Sequence, residues 1–141
     1  MTLESGGAVL AASGIHKRFD ALVVLDAVDF AMRADEAVGI VGPNGAGKTT
    51  LLSVLAGAQR PEAGRVAFRG ADVTALPAAE RCRRGLVRTH QIPRPFTGMT
   101  VFENCFVAAA HGGNCAREEA YARAIEALER SGMRAHANRR A

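Results

Sequence analysis

The spacing of apolar residues in the first part of the chain predicts three strands and a helix. Val9–Phe19 is strand-like, and larger apolar residues occupy every second position from Val28 to Arg33, the pattern of a half-buried antiparallel strand. Ala37–Val41 is a continuous apolar run, which is typical of a strand buried on both faces. A glycine-rich segment follows, and apolar residues at helical spacing then predict a helix over Lys48–Ala56 that stops at Gly57.

Turn-forming residues divide the middle of the chain. Pro61–Gly64 predicts a turn before a strand at Arg65–Arg69, and Gly70–Asp72 predicts a second turn. Prolines and a glycine follow Gln91, and proline fixes φ and removes a backbone donor. The chain is therefore expected to continue from Gln91 as an irregular loop.

Two helices are predicted in the C-terminal part. Thr100 and Glu103 have the spacing of a capping box, so one helix is expected to begin there and run to about His111. Asn114 can cap a second helix, which Gly132 ends. The residues expected to share its apolar face are Tyr121, Ala124, Ile125 and Leu128, and its i,i+4 ion pairs are Glu119 with Arg123 and Glu126 with Arg130.

Composition narrows the class of protein without identifying it. Hydrophobic residues make up 48% of the 141 residues and charged residues 23%, proportions of a globular domain rather than a disordered chain. The 18 basic and 14 acidic residues leave a net charge of +4, which is too small and too dispersed to predict nucleic-acid binding. Neither a signal peptide nor a membrane-spanning apolar run is found in the sequence, so a cytoplasmic or membrane-peripheral protein is expected.

One motif predicts the chemistry. The residues from Gly42 to Thr49 match G-x-x-x-x-G-K-[ST] in full, between an expected strand and an expected helix, as the motif requires. Glycines let the backbone approach a ligand, and successive amides then form a nest for phosphate oxygens at a helix N-terminus. Lys48 is expected to place its ammonium between β- and γ-phosphates, and the Thr49 hydroxyl to bind Mg²⁺. The expected phosphate-binding residues are Gly42, Pro43, Asn44, Gly45, Ala46, Gly47, Lys48, Thr49 and Thr50.

The residues around this motif resemble one family of phosphate-loop proteins. The stretch GPNGAGKTTLL, followed by a P-x-x-G-x-V turn and strand, is similar to the nucleotide-binding subunit of ABC transporters. Leu86–Gln91, a proline-rich loop and the sequence Met-Thr-Val ahead of Glu103-Asn104 resemble the branch for branched-chain amino acid uptake. The resemblance covers nearly all of residues 9–140, with His90 where the family usually has phenylalanine.

The resemblance implies ATP and Mg²⁺ as ligands and adds two residues to the site. Phe19 lies where the family places an aromatic ring that stacks on adenine. Gln91 matches the glutamine that reaches Mg²⁺ and the attacking water, so Thr49 and Gln91 are the implied metal-binding residues. The loop from Ile92 to Met99 is the implied contact with a transmembrane permease subunit at the inner face of the plasma membrane. A second ABC ATPase subunit is the other implied partner, because the family binds ATP between two copies.

The implied fold is α/β, a truncated ABC ATPase fold. It comprises a P-loop NTPase core, an antiparallel β subdomain and the start of a helical subdomain. Residues 1–141 would form a partial ABC ATP-binding domain, in which residues 9–90 are the nucleotide-binding core. Residues 91–99 would be the Q-loop, and residues 100–141 a partial helical subdomain.

Three parts that the family needs for hydrolysis have no credible match in the sequence: the acidic Walker B strand, the Ser-Gly-Gly signature and the switch histidine. Asp26 ends an apolar run but precedes the phosphate loop, and Ala27 follows it where a second acid is needed. Ser5–Gly7 imitates the signature without a helix behind it, and His111 and His136 follow no acidic strand. No catalytic residue is therefore assigned. We expect an N-terminal portion of a transport ATPase that binds ATP without hydrolysing it.

Other functions stay open from the sequence. The chain can also be read as a non-enzymatic fragment that docks on a membrane permease without using nucleotide. Within the family, an ATPase for lipopolysaccharide export or DNA repair is an alternative. An unrelated P-loop kinase or GTPase is disfavoured, because the sequence has no Asn-Lys-x-Asp guanine-binding motif and no acceptor lid. The transported substrate is selected by other subunits, so these residues do not identify it.

Overall fold

The computed structural model describes residues 7–113 and 115–141. Ser5, Gly6 and the expected helix cap Asn114 lie outside the described residues. The chain divides into two compact units, the first ending at Arg81 and the second beginning at Cys82.

A four-stranded antiparallel sheet forms most of the first unit. Strands β1 (Ala8–Phe19) and β2 (Leu22–Arg33) are joined by a tight turn, and β3 (Ala63–Phe68) pairs with the other edge of β1. The short β4 (Ala71–Asp72) completes the order β2-β1-β3-β4. The alternation predicted from Val28 to Arg33 is confirmed, since the larger apolar side chains are half-buried and those between them are exposed.

Helix α1 (Lys48–Leu55) supplies the other side of the core. It ends within one residue of the predicted position, and its apolar side packs against the sheet while Leu52 remains 44% exposed. Each large aliphatic side chain that is fully buried contributes about 1.5–3 kcal/mol. The buried apolar residues of this unit are Leu10, Ala11, Ala12, Ile15, Leu25, Leu51, Val54, Leu55, Val66, Phe68 and Val73.

The strand predicted at Ala37–Val41 is wrong. This run is irregular, with Val38 42% exposed and Val41 93% exposed. A strand is held by hydrogen bonds to a neighbouring strand, and a continuous apolar strand needs packing layers on both faces. No segment of residues 7–113 or 115–141 pairs with this run, so its composition alone does not make it a strand.

The segment after β3 also differs from the prediction. The turn expected at Gly70–Asp72 is shorter, because Ala71–Asp72 pairs with β3 and the chain reverses at Arg69–Gly70. The Asp72 carboxylate accepts the backbone N–H of Thr74 at 2.8 Å, and hydrogen bonds from Thr74 lower the pKa of Asp72. Helix α2 (Ala78–Arg83) follows and was not predicted.

The capping box predicted for the second unit is confirmed. Helix α3 (Val101–Val107) begins after Thr100, whose hydroxyl accepts the backbone N–H of Glu103 at 3.1 Å. The Glu103 carboxylate in turn accepts the Thr100 backbone N–H at 2.6 Å. The helix continues as a π-helical turn at Ala108–Gly112, close to the predicted end.

Helix α4 (Arg117–Arg130) follows the predicted pattern on its charged side and only partly on its apolar side. Ala120, Ala124 and Leu128 are buried, whereas Tyr121, expected on the apolar face, is 56% exposed. Both predicted ion pairs form, with N–O distances of 2.7 and 3.6 Å. No helix in the described ranges combines the length and the apolar character needed to cross a bilayer.

Candidate functional site

The glycine-rich loop reaches helix α1 through a residue that must be glycine. Gly47 is the N-cap of α1 and has a left-handed backbone, with φ +80°. A Cβ atom there would lie 2.8 Å from the carbonyl oxygen of Val24 and 3.0 Å from Cδ2 of Leu25. The loop can therefore lie directly against β2 only because residue 47 has no side chain.

Lys48 bends back across the same loop. Its Nζ donates to the carbonyl oxygens of Gly42 and Pro43, each at 2.7 Å. An ammonium group has three N–H donors, so two such bonds leave one donor for an anion. The loop thus holds the positive charge at the start of α1.

The first turn of α1 reinforces this charge. No side chain of the described residues caps the helix, and its first turn has no acidic residue. The first N–H groups of a helix have no partner within the helix and form the positive end of its dipole. Together with the ammonium of Lys48 they make a site suited to a phosphate group. The residues from Gly42 to Thr50 form this loop and the first turn of α1.

Thr49 is exposed in the first turn of α1, where its side chain is accessible to a ligand beside the loop. The described residues include no group of three or more His, Cys, Asp or Glu side chains able to hold a metal ion. Mg²⁺ usually keeps several waters and is bound with phosphate oxygens and a few protein oxygens, rather than in an all-protein cage. The single hydroxyl oxygen of Thr49 fits Mg²⁺ that is held mainly by the oxygens of a bound phosphate.

Phe19 ends strand β1 in the same unit as the loop. The residue is 43% exposed, and the Nζ atom of Lys17 lies 5.5 Å from the ring centroid. The accessible aromatic surface is compatible with stacking against a nucleotide base. The Lys17 contact is a cation–π interaction that sequence reasoning did not anticipate.

Gln91 belongs to the second unit and is exposed within an irregular segment. The loop after it is also exposed, and Ile92 and Phe96 have 76% and 58% of their surface accessible. Asn104 ties this loop to α3, because its side chain accepts the Phe96 N–H at 2.8 Å and donates to the Phe96 carbonyl at 3.2 Å. The Glu103-Asn104 pair of the sequence pattern thus caps the helix and anchors the loop.

Two other features include none of the predicted site residues. Asp26 has an 81% exposed side chain and pairs with His16, with Oδ1 3.2 Å from Nδ1. An open cleft of about 530 Å³ lies in the second unit and contains none of the predicted binding residues. The residues that line the cleft are Phe102, Phe106, Arg117, Glu118 and Tyr121.

Residues 25–141 match the family described as ABC transporter. The high-affinity branched-chain amino acid transport ATP-binding protein LivG of Salmonella typhimurium is 37% identical over 147 aligned positions, covering 94% of this chain and 58% of the relative. Its Escherichia coli counterpart is 36% identical with the same coverage. The corresponding protein BraF of Pseudomonas aeruginosa is 38% identical over 100 positions, covering 71% of this chain and 39% of the relative.

Solved structures agree with the sequence comparison. A structure described as an ATP-binding cassette of an ABC transporter superposes with a TM-score of 0.81 at 31% identity, covering 94% of this chain and 57% of the other. A nucleotide-free ATP-binding cassette superposes with a TM-score of 0.79 at 29% identity and the same coverage. The chain thus spans a little over half the length of the LivG relative and of the solved cassette, although each match covers 94% of the chain itself.

Proposed function

This chain belongs to the ABC transporter family, and we propose that its loop from Gly42 to Thr50 binds the phosphates of ATP together with Mg²⁺. The observation that supports this most directly is the position of Lys48, whose ammonium lies across the loop at the uncapped start of α1. A fixed cation beside free amides of a helix N-terminus favours a phosphate group over a neutral ligand. When bound, Mg²⁺ would neutralise part of the phosphate charge.

The remaining site residues have distinct proposed roles. Phe19 stacks on the adenine ring through its accessible face, and the Thr49 hydroxyl is a ligand to the Mg²⁺ that accompanies the phosphates. Gln91 would be the second metal-binding residue, with its side-chain oxygen as the ligand atom. These assignments rest on the match to the family motif and on the exposure of all three side chains.

The proposed context is the ATP-binding subunit of a branched-chain amino acid importer. The names of the LivG and BraF relatives support this branch, as does the pattern that surrounds Gln91. The loop from Ile92 to Met99 contacts a transmembrane permease at the inner face of the plasma membrane, and a second ABC ATPase subunit completes the nucleotide site. Exposure of Ile92 and Phe96, with Asn104 anchoring the loop, suits such a contact.

A titration with a fluorescent ATP analogue and Mg²⁺ tests the binding proposal. Lys48→Ala should weaken binding at least about tenfold, because a charge-assisted bond to phosphate is lost. Arg65→Ala is a matched control, since it removes an exposed positive charge from a strand of the same unit and should leave the affinity unchanged. Equal affinity of the wild type and Lys48→Ala would contradict the proposal and favour a docking role without nucleotide.

We further propose that residues 1–141 by themselves bind ATP without turning it over. The sequence offers no acidic pair to polarise water and no signature segment. Phosphate release by the purified chain in Mg-ATP should therefore equal that of Lys48→Ala. A steady rate that the Lys48→Ala substitution abolishes would contradict the claim.

A further inference from the structure

Helix α2 places a positive charge inside the first unit. The side chain of Arg81 is 1% exposed, and none of the described carboxylates lies within ion-pair distance of it. Burial lowers the pKa of this guanidinium, and the more distant charge of Asp72 opposes the shift only in part. Burying a cation is unfavourable unless hydrogen bonds replace its hydration. The acceptors of these hydrogen bonds therefore identify the segments that Arg81 connects.

Every hydrogen bond found for Arg81 goes to a backbone carbonyl. Nη1 donates to the carbonyl oxygens of Val54 at 2.8 Å and Leu55 at 2.7 Å. Nε donates to Leu76 at 3.0 Å, and Nη2 donates to Thr74 at 2.9 Å. The first two acceptors are carbonyls of the last turn of α1, and the other two lie in the segment between β4 and α2. The planar guanidinium therefore joins the end of α1 to that segment.

Gly57 makes room for this contact. It has φ +76°, and a Cβ atom there would lie 2.7 Å from Nε and 2.9 Å from Cδ of Arg81. A side chain at position 57 would displace the guanidinium from the helix end. Because the last turn of α1 contains no basic residue of its own, Arg81 supplies the cation that favours the negative end of the helix dipole.

We propose that Arg81 is a positioning residue for the phosphate loop. Helix α1 is short, about 12 Å from end to end, with Arg81 at its last turn and Lys48 at its first residue. Holding the last turn fixes the direction in which the helix presents its N-terminal amides and Lys48 to a phosphate. The inference rests on the proposed nucleotide binding, which it deepens by adding a residue remote from the ligand.

Affinity and stability measured on the same variants test this inference. Arg81→Met keeps much of the side-chain volume and removes the charge and all four bonds, so nucleotide affinity should fall about three- to tenfold in the folded protein. Arg81→Lys should recover part of the affinity, because an ammonium can reach the helix carbonyls but lacks the fork that joins both segments. Ile15→Val is the matched control, since it removes one buried methyl group from β1 and should lower the melting temperature without changing the affinity.

Affinity of Arg81→Met within twofold of wild type, with a lowered melting temperature, would reduce Arg81 to a purely structural role and overturn the inference. If Arg81→Met does not fold, Arg81→Lys and Gly57→Ala provide the same comparison, and both should weaken binding more than Ile15→Val.

Amide hydrogen exchange separates this inference from the proposed function. If the wild type and Lys48→Ala bind nucleotide equally weakly, the proposed function fails. Arg81→Lys should still accelerate exchange at Leu51, whose N–H donates to the Gly47 carbonyl at 2.8 Å beside the loop. Faster exchange confined to the last turn of α1 would overturn the positioning role, whatever the nucleotide affinity.

Discussion

At the scale of single residues, the phosphate loop depends on two glycines for different reasons. Gly47 and Gly45 both have left-handed backbones, with φ +80° and +84°. A Cβ at residue 47 would collide with the backbone of β2, whereas a Cβ at residue 45 would meet nothing within 4 Å. The pair therefore separates the cost of an unfavourable φ from the cost of losing the contact between loop and sheet.

Substituting each glycine with alanine measures these two costs. Gly45→Ala should lower the free energy of unfolding by about 1–2 kcal/mol through backbone strain alone. Gly47→Ala should lower it further, because the added methyl group must push the loop away from Val24, and its nucleotide affinity should fall as well. Urea unfolding and nucleotide titration of both variants provide the comparison. Equal losses of stability would mean that the loop moves away from β2 without cost.

The sequence is sufficient to locate the loop residues, but it does not indicate the structural role of Arg81. The residues from Gly42 to Thr49 lie side by side in the chain, so their spacing alone predicts that they act together. Arg81 donates to the carbonyls of Val54 and Leu55, which precede it by 27 and 26 positions. Because every residue has a backbone carbonyl, no sequence pattern identifies these acceptors. Its role appears only when the fold brings α1 and α2 together.

At the scale of secondary-structure elements, α3 shows what local signals can and cannot determine. Its capping box needs only Thr100 and the residue three positions later, so the start of the helix was predictable from sequence. The run Ala37–Val41 needs a partner strand, and its apolar composition predicted a strand that does not form. Tyr121 packs against Phe102 of α3, with ring centroids 5.1 Å apart, yet it stays 56% exposed, since helical periodicity predicts which residues share a face but not how far the neighbouring helix covers it.

The capping box also makes α3 sensitive to acid. Hydrogen bonds from the backbone and hydroxyl of Thr100 lower the pKa of Glu103 below 4.5, so the fold favours the charged carboxylate. This contribution to stability is complete above the unfolded pKa and is lost as the pH falls through the lower pKa of the folded state.

Glu103→Gln isolates the effect. The free energy of unfolding of the wild type should exceed that of the variant near neutral pH, and the difference should shrink as the pH falls below 4.5. Urea unfolding of both proteins across this range gives the difference directly, because every other carboxyl group titrates in both. A difference that stays constant with pH would show that the charge of Glu103 does not contribute to the cap.

At the scale of the whole molecule, burial decides the role of each apolar residue. Val41 and Val54 have the same side chain, but Val41 is 93% exposed ahead of the loop and Val54 is fully buried in α1. All fourteen buried apolar residues described are in β1, β2, α1, β3, α4 or at Val73, and none is in the run Ala37–Val41. The folded core thus forms without this run.

Replacing each valine with threonine tests that conclusion with the same chemical change. Val54→Thr should destabilise the protein by about 1–3 kcal/mol, because a hydroxyl group is buried among apolar side chains. Val41→Thr should change the free energy of unfolding by less than about 0.5 kcal/mol, as expected of an exposed position. Thermal and urea unfolding of both variants measure the effect. A large loss for Val41→Thr would show that residues 37–41 are packed in solution.

The place of β1 in the sheet also bears on the order in which the chain folds as it is made. β1 pairs with β2 across a tight turn, but its pairing with β3 must wait until the phosphate loop and α1 have been synthesised. Closing this longer connection costs more chain entropy than forming the hairpin, so it comes later in folding. The loop from Gly42 to Gly47 lies inside that connection. A nascent chain would therefore carry the whole phosphate motif, together with the β2 residues that it lies against, before the strand that completes the other side of β1 has been made.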